Sequence, residues 1–150
     1  MPIISLTTLV AAPLQRTFDL ARSIDLHVES MAHTGERAIA GVTSGVVVLG
    51  DEVTWEGRHL GVRQRFTSRI TAFDEPRYFQ DSMVKGAFAS YVHDHHFEIA
   101  GAGTLMRDEL RFRAPLGLLG VIAERVVLIA YMRRLLEERN RTIKLAAERG

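Results

Sequence analysis

Between residues 36 and 113 apolar and polar side chains alternate with period two, whereas residues 13–31 and 115–148 repeat every three to four residues. Period two belongs to strands with one buried face, and the longer period to amphipathic helices. Glycines at 41, 45, 50, 61, 86, 101 and 103 punctuate the alternating stretch. It therefore predicts six antiparallel strands joined by short turns, over 37–44, 51–59, 62–73, 77–85, 88–99 and 104–113. Ahead of it, I-I-S-L-T-T-L-V at 3–10 is rich in apolar and β-branched residues and stops before Pro13, which predicts a first strand.

From Pro13 to about Met31, Phe18, Leu20, Ala21, Ile24, Leu26, Val28 and Met31 recur at mixed spacings of three and four. Two short helices, or one bent helix, are expected, with Pro13 in a first turn, Ser23 and Asp25 capping a second segment, and Gly35 ending it. From Pro115 to about Glu148, Leu119, Ile122, Val126, Ile129, Met132 or Arg133, and Leu136 fall on one stripe, widened by Leu118, Val121, Leu128, Tyr131 and Leu135. That predicts a long helix with a broad apolar face. Its unbroken apolar run, Val126 to Met132, is far shorter than the ~20 residues of a membrane span. Arg133, Arg134, Arg139, Arg141, Lys144 and Arg149 then face Glu137, Glu138 and Glu148, the pattern of a solvated helix end whose cations complement the dipole. Gly117 and Gly120 each cost about 1 kcal/mol of helix propensity relative to Ala, so residues 116–120 are read either as a gate at a cavity mouth or as a close packing contact.

This order of elements is α+β: one domain, residues 1–150, with a seven-stranded curved antiparallel sheet wrapped around a long C-terminal helix. With 150 residues and 47% apolar content, the chain can fill one core without staples. A net charge of +1 gives no global attraction to nucleic acid or to an anionic membrane. The absence of cysteine excludes disulfides, thiol catalysis and Cys-ligated zinc or iron–sulfur sites. The opening Met-Pro-Ile-Ile-Ser-Leu lacks the basic and long apolar regions of a signal peptide, so a cytoplasmic location is expected. No dinucleotide, P-loop, nucleophile-elbow or zincin motif occurs.

Candidate chemistry concentrates on the last hairpin. Tyr91, His93, His95, Phe97 and Ile99 share one strand face, and Met106, Asp108, Leu110, Phe112 and Ala114 share one on the partner. With Gly101–Ala102 as a two-residue turn, Phe97 lies opposite Met106, His95 opposite Asp108, His93 opposite Leu110 and Tyr91 opposite Phe112. A slip of two residues would instead set His93 opposite Asp108. An inward histidine beside an inward carboxylate can be a structural pair or ligand anchor, a general acid/base, or, through His-x-His plus carboxylate, a metal site; the first is preferred and no metal is expected. The anion would raise the histidine's pKa unless desolvation prevails. On the preceding hairpin a turn at Leu60–Gly61 sets Trp55 opposite Phe66 and Gly57 opposite Gln64, which makes Trp55 either core or the wall for a flat ligand. Arg63, Arg65 and Arg69 share the opposite, wet face.

The order of elements, A-A-P-x-x-x-x-F-D-L at 11–20, S-Y-V-H-D-H-H-F-E at 90–98 and G-T-L-M-R-D-E-L-R-F-R-A-P-L-G-L-L-G at 103–120 resemble the START-related, Bet v 1-like (SRPBCC) superfamily. That superfamily includes polyketide cyclases and dehydratases, and the chain is most similar to a bacterial branch labelled cell-division or cyclase-like. The resemblance implies a helix-grip fold with a cavity, hosting lipid binders, transfer proteins, cyclases or hydrolases. The leading expectation is a cofactor-free, non-enzymatic binder of a small hydrophobic or amphipathic molecule, contacted by Trp55, Phe66, Tyr91, His93, His95, Phe97, Met106, Asp108, Leu110 and Phe112. The alternative is a cyclase or dehydratase using His95 or His93 with Asp108. An interaction module, homodimeric through exposed strand or helix surface, is the third.

Overall fold

A computed structural model describes residues 2–115, 117 and 122–149. In chain order it contains β1 (Ile3–Val10), α1 (Leu14–Ala21), α2 (Ile24–Ser30), a 3-10 turn (Ala32–Thr34), β2 (Arg37–Gly41), β3 (Glu52–His59), β4 (Val62–Asp74), β5 (Tyr78–Lys85), β6 (Ser90–Ala100), β7 (Gly103–Arg113), a π-helical turn (Glu124–Leu128) and α3 (Ile129–Glu148). The strands form one seven-stranded antiparallel sheet in the order β1-β7-β6-β5-β4-β3-β2. The expected α+β helix-grip architecture is therefore present, and no helix among the described residues is long and apolar enough to cross a membrane.

The hairpin registers follow the alternation. Trp55 pairs with Phe66 and Gly57 with Gln64, while His95 pairs with Asp108 and Phe97 with Met106. β2 stops at Gly41, short of the expected 44, because the chain turns there with φ 73°. A Cβ at Gly41 would stand 2.1 Å from the Glu52 carbonyl oxygen, so only glycine fits. Pro13 and Arg22 bound α1, and Ser23 caps α2 by accepting a hydrogen bond from the Leu26 N–H at 3.2 Å. Asp25, expected to share that cap, instead accepts from the Gly45 N–H at 2.9 Å and so anchors the β2–β3 loop.

α3 lies against the sheet and the two short helices. Phe18 of α1 is fully buried and meets Phe73, Phe79 and Phe97 edge-on at 5.6, 5.6 and 5.3 Å between ring centroids. A second cluster joins Ile4, Leu110 and Phe112 to Leu136 of α3. The C-terminus of α3 is tied down: Arg16 donates to the Ala147 and Ala146 carbonyls at 2.9 and 3.0 Å, meeting carbonyls that a helix end leaves unpaired. One expectation for this helix fails. Arg139 is not part of a solvated basic end but is buried, 7% exposed, because it continues the Leu136 stripe one turn further. On the opposite face of the sheet Arg63, Arg65 and Arg69 are exposed as expected, and Arg65 pairs with Glu56 at 2.9 Å.

Candidate functional site

A cavity of about 230 Å³ lies between the concave face of β3–β6, the short helices and α3. Its wall is largely apolar, with Ile24, Met31, Val53, Ile70, Phe79 and Leu136 among its residues. Trp55 and Phe66 both line it; Trp55 packs against the His27 ring at 4.3 Å, and Phe66 meets Tyr91 edge-on at 4.8 Å. Gly57 creates room nearby: a Cβ there would lie 3.1 Å from the Glu36 Cα, so the missing side chain lets Glu36 approach the sheet.

The first polar group sits on β5, β6, β7 and α3. Although His95 is the residue opposite Asp108 in the register, it is His93 Nε2 that reaches Asp108 Oδ1, at 2.9 Å. His95 Nε2 instead reaches Asp81 Oδ2 at 2.6 Å, and its Nδ1 stands 3.4 Å from Asp108 Oδ1. The two imidazoles are stacked, 3.7 Å between centroids. Asn140 donates to Asp108 Oδ2 at 2.7 Å. The Arg139 guanidinium donates to Asn140 Oδ1 at 2.9 Å, to the Ala21 carbonyl at 3.2 Å and to His95 Nδ1 at 3.2 Å, and lies 3.4 Å from Asp108 Oδ1. A guanidinium has no lone pair to offer, so this network assigns the His95 proton to Nε2, which donates it to Asp81.

These contacts set the charges. Burial pushes the Asp108 carboxyl up, but the hydrogen bond from His93 and the nearby Arg139 charge outweigh it and hold the group well below the usual carboxylate range. Asp81 behaves likewise: burial raises it, the His95 bond and the surrounding positive charge lower it more, and the net shift is downward. For His93 desolvation and the neighbouring His95 prevail over the attraction of Asp108, so its pKa falls rather than rises. His93 is therefore neutral at pH 7, donates through Nε2, and keeps a lone pair on Nδ1.

A second polar group was not anticipated. Glu36, just ahead of β2, accepts from His27 Nε2 at 2.6 Å and from His59 Nε2 at 2.9 Å. His59 Nδ1 in turn lies 2.7 Å from the Tyr131 hydroxyl of α3, closing a link between the short helices, the sheet and the long helix. Burial raises the Glu36 pKa, yet the two imidazole hydrogen bonds bring it down to about 2.

Of the sequence-derived contacts, Trp55, Phe66, Tyr91, His93 and His95 face the cavity. The others do not. Phe97 and Met106 pack into the core around Phe18, and Leu110 and Phe112 pack in a cluster with Ile4 and Leu136. Asp108, with a side chain 0% exposed, stands behind His93. Of the candidate gate, residues 116–120, only Gly117 is described, with φ 55°; the rest lies outside the described residues. The residues missed, Asp81, Glu36, His27, His59, Tyr131 and Arg139, all line the cavity. Asp81 was findable, since it shares the inward parity of Phe79 on β5. Asp81, His93 and His95 bring potential metal-ligand atoms within 4.8 Å of one another, with Asp81 in the place expected for Asp108. A cation there would break the Asp81–His95 bond and stand beside the Arg139 guanidinium, an arrangement that disfavours it.

A family model described as polyketide cyclase/dehydrase and lipid transport matches residues 1–148. No curated protein sequence matches the chain. Among solved structures, TTHA0849 from Thermus thermophilus is similar with a TM-score of 0.75 at 17% identity, covering 97% of this chain and 99% of its own. Major latex-like protein 151 from Panax ginseng gives 0.70 at 18% identity, covering 97% of each chain. Ara h 8.0201 gives 0.65 at 12% identity, covering 99% of each. The fold is thus the Bet v 1-like helix-grip fold.

Proposed function

The chain belongs to the polyketide cyclase/dehydrase and lipid transport family, and on that premise we propose that it binds one small hydrophobic or amphipathic molecule between the sheet and α3. The observation that carries this reading is the cavity itself: aromatic and aliphatic walls with polar groups converging at Asp81, His93 and His95, the usual composition of a small-ligand site. At about 230 Å³ it is smaller than the ~300–1,000 Å³ of common ligand pockets, which favours a compact molecule over a two-chain lipid. Native mass spectrometry of the freshly purified protein tests this. A retained small molecule, lost in a Gly57→Phe variant that obstructs the cavity, is the expected result. A protein that carries nothing and whose sole tryptophan, Trp55, does not respond to any apolar probe overturns it.

A second reading, an acid/base enzyme of the cyclase or dehydratase kind, is supported by one specific observation. Asp108 holds His93 by Nε2, which leaves Nδ1 as a neutral, desolvated base. His93→Gln would then abolish turnover of a bound substrate without abolishing its binding; normal turnover in that variant removes the reading.

A further inference from the structure

The polar end of the cavity leaves two acceptors without a donor. Asp81 lines the cavity and one of its oxygens, Oδ2, receives the His95 Nε2 proton at 2.6 Å. Its other oxygen, Oδ1, receives a hydrogen bond from no described residue. His93, on the same wall, donates through Nε2 to Asp108 at 2.9 Å, and among the described residues nothing donates to its Nδ1. The two free lone-pair positions are therefore a carboxylate oxygen and an imidazole nitrogen.

The cations that could balance them are turned away. Arg139 is engaged by Asn140, the Ala21 carbonyl, His95 and Asp108. Arg22 pairs with Asp19 and Glu75 and donates to the Val47 carbonyl, and Arg65 points out to Glu56. Around the stacked imidazoles two carboxylates, Asp81 and Asp108, thus face one guanidinium. A ligand carboxylate brought here would lose its water, find every nearby guanidinium already engaged and meet a like charge. A hydroxyl or an ammonium would supply the donor that Asp81 Oδ1 lacks, in a charge-assisted bond.

We propose that Asp81 anchors the ligand, and that the ligand class is an apolar molecule whose head group donates hydrogen bonds, a hydroxyl or a protonated amine, with fatty-acid-type carboxylates rejected. This rests on the binding reading above and adds the chemistry of the head group to it.

The test holds the tail constant and changes the head: 1-octanol, octylamine and octanoate are titrated at pH 7.5 against the fluorescence of Trp55, in the wild type and in Asp81→Asn. In the wild type octanol and octylamine should each bind at least tenfold more tightly than octanoate. In Asp81→Asn, whose fold is checked by circular dichroism, the advantage of octylamine over octanoate should shrink at least tenfold. Octanoate binding as tightly as octanol in the wild type overturns the inference while leaving the binding reading intact, and needs no variant to be interpreted. An undiminished advantage of octylamine over octanoate in a folded Asp81→Asn overturns the role of Asp81. Failure of all three probes to bind overturns the binding reading and this inference together.

Discussion

His93 donates its Nε2 proton to Asp108 at 2.9 Å although the residue directly across the strand pair from Asp108 is His95. The diagonal choice arises because Asp81, on the other neighbouring strand, draws His95 away at 2.6 Å, and stacking at 3.7 Å then brings the His93 ring over the carboxylate. Each imidazole ends with a carboxylate of its own, and Asp108 collects donors from β6 and α3 together.

Removing the acceptor at the centre of that group should be costly. Asp108→Ala leaves the His93 N–H buried without a partner, removes the shorter of the two Asn140 Nδ2 hydrogen bonds and strands the Arg139 charge, and is expected to lower stability by about 3–5 kcal/mol in urea unfolding. A loss under about 1 kcal/mol would mean that the network contributes little. In the milder Asp108→Asn, nitrogen-15 NMR should show the His93 midpoint, already below 6.5 in the wild type, move lower still, since the anion that attracts its proton is gone. An identical midpoint in both proteins would show that the pair does not interact.

Acid should weaken the Glu36 link. The folded carboxyl titrates at about 2 against 4.5 for the unfolded chain, so the unfolded state takes up the proton first as pH falls. The stability it contributes is complete above pH 4.5 and disappears as pH drops through 2. That contribution is at most about 3.5 kcal/mol, at about 1.4 kcal/mol for each pH unit between 4.5 and 2. Denaturation midpoints measured from pH 6 to pH 2.5 should therefore fall less steeply in Glu36→Gln than in the wild type. His93 acts in the same direction at higher pH: its lowered folded value means stability declines as pH falls below 6.5. Parallel pH profiles for wild type and Glu36→Gln would refute the Glu36 assignment.

The basic residues of α3 should separate into two groups. Arg139→Ala removes the hydrogen bonds to the Ala21 carbonyl and Asn140 and leaves Asp108 as an uncompensated charge, so a loss above about 2 kcal/mol is expected. Arg141→Ala, at an exposed position two residues on, should stay within about 0.5 kcal/mol of the wild type. Equal effects at the two positions would contradict the burial difference between them.

Part of this site was legible before any fold was known. The pairing of Trp55 with Phe66 and of His95 with Asp108 follows from alternation and a two-residue turn, both local properties, because a one-residue slip would turn an apolar row to water. The inward parity of Asp81 was equally available on β5, and the burial of Arg139 and Asn140 could be read by extending the stripe from Leu136 toward Ile143. Both were obscured by a rule of thumb that counts charged residues as surface.

By itself, then, the chain's pattern determined the order of strands, the registers of the two tightest hairpins and the face that looks inward, since alternation and short turns depend on neighbours a few residues apart. Tertiary structure decided which inward residues meet empty space and which meet each other. Leu110 and Phe112 pack in a cluster with Ile4 and with Leu136 of α3, and Glu36 finds His27, His59 and, through His59, Tyr131 because four separated segments converge where Gly57 leaves room. Hydrogen-bond partners within such a cluster are chosen by short-range geometry among groups brought together only by folding, and no periodicity along the chain encodes that choice.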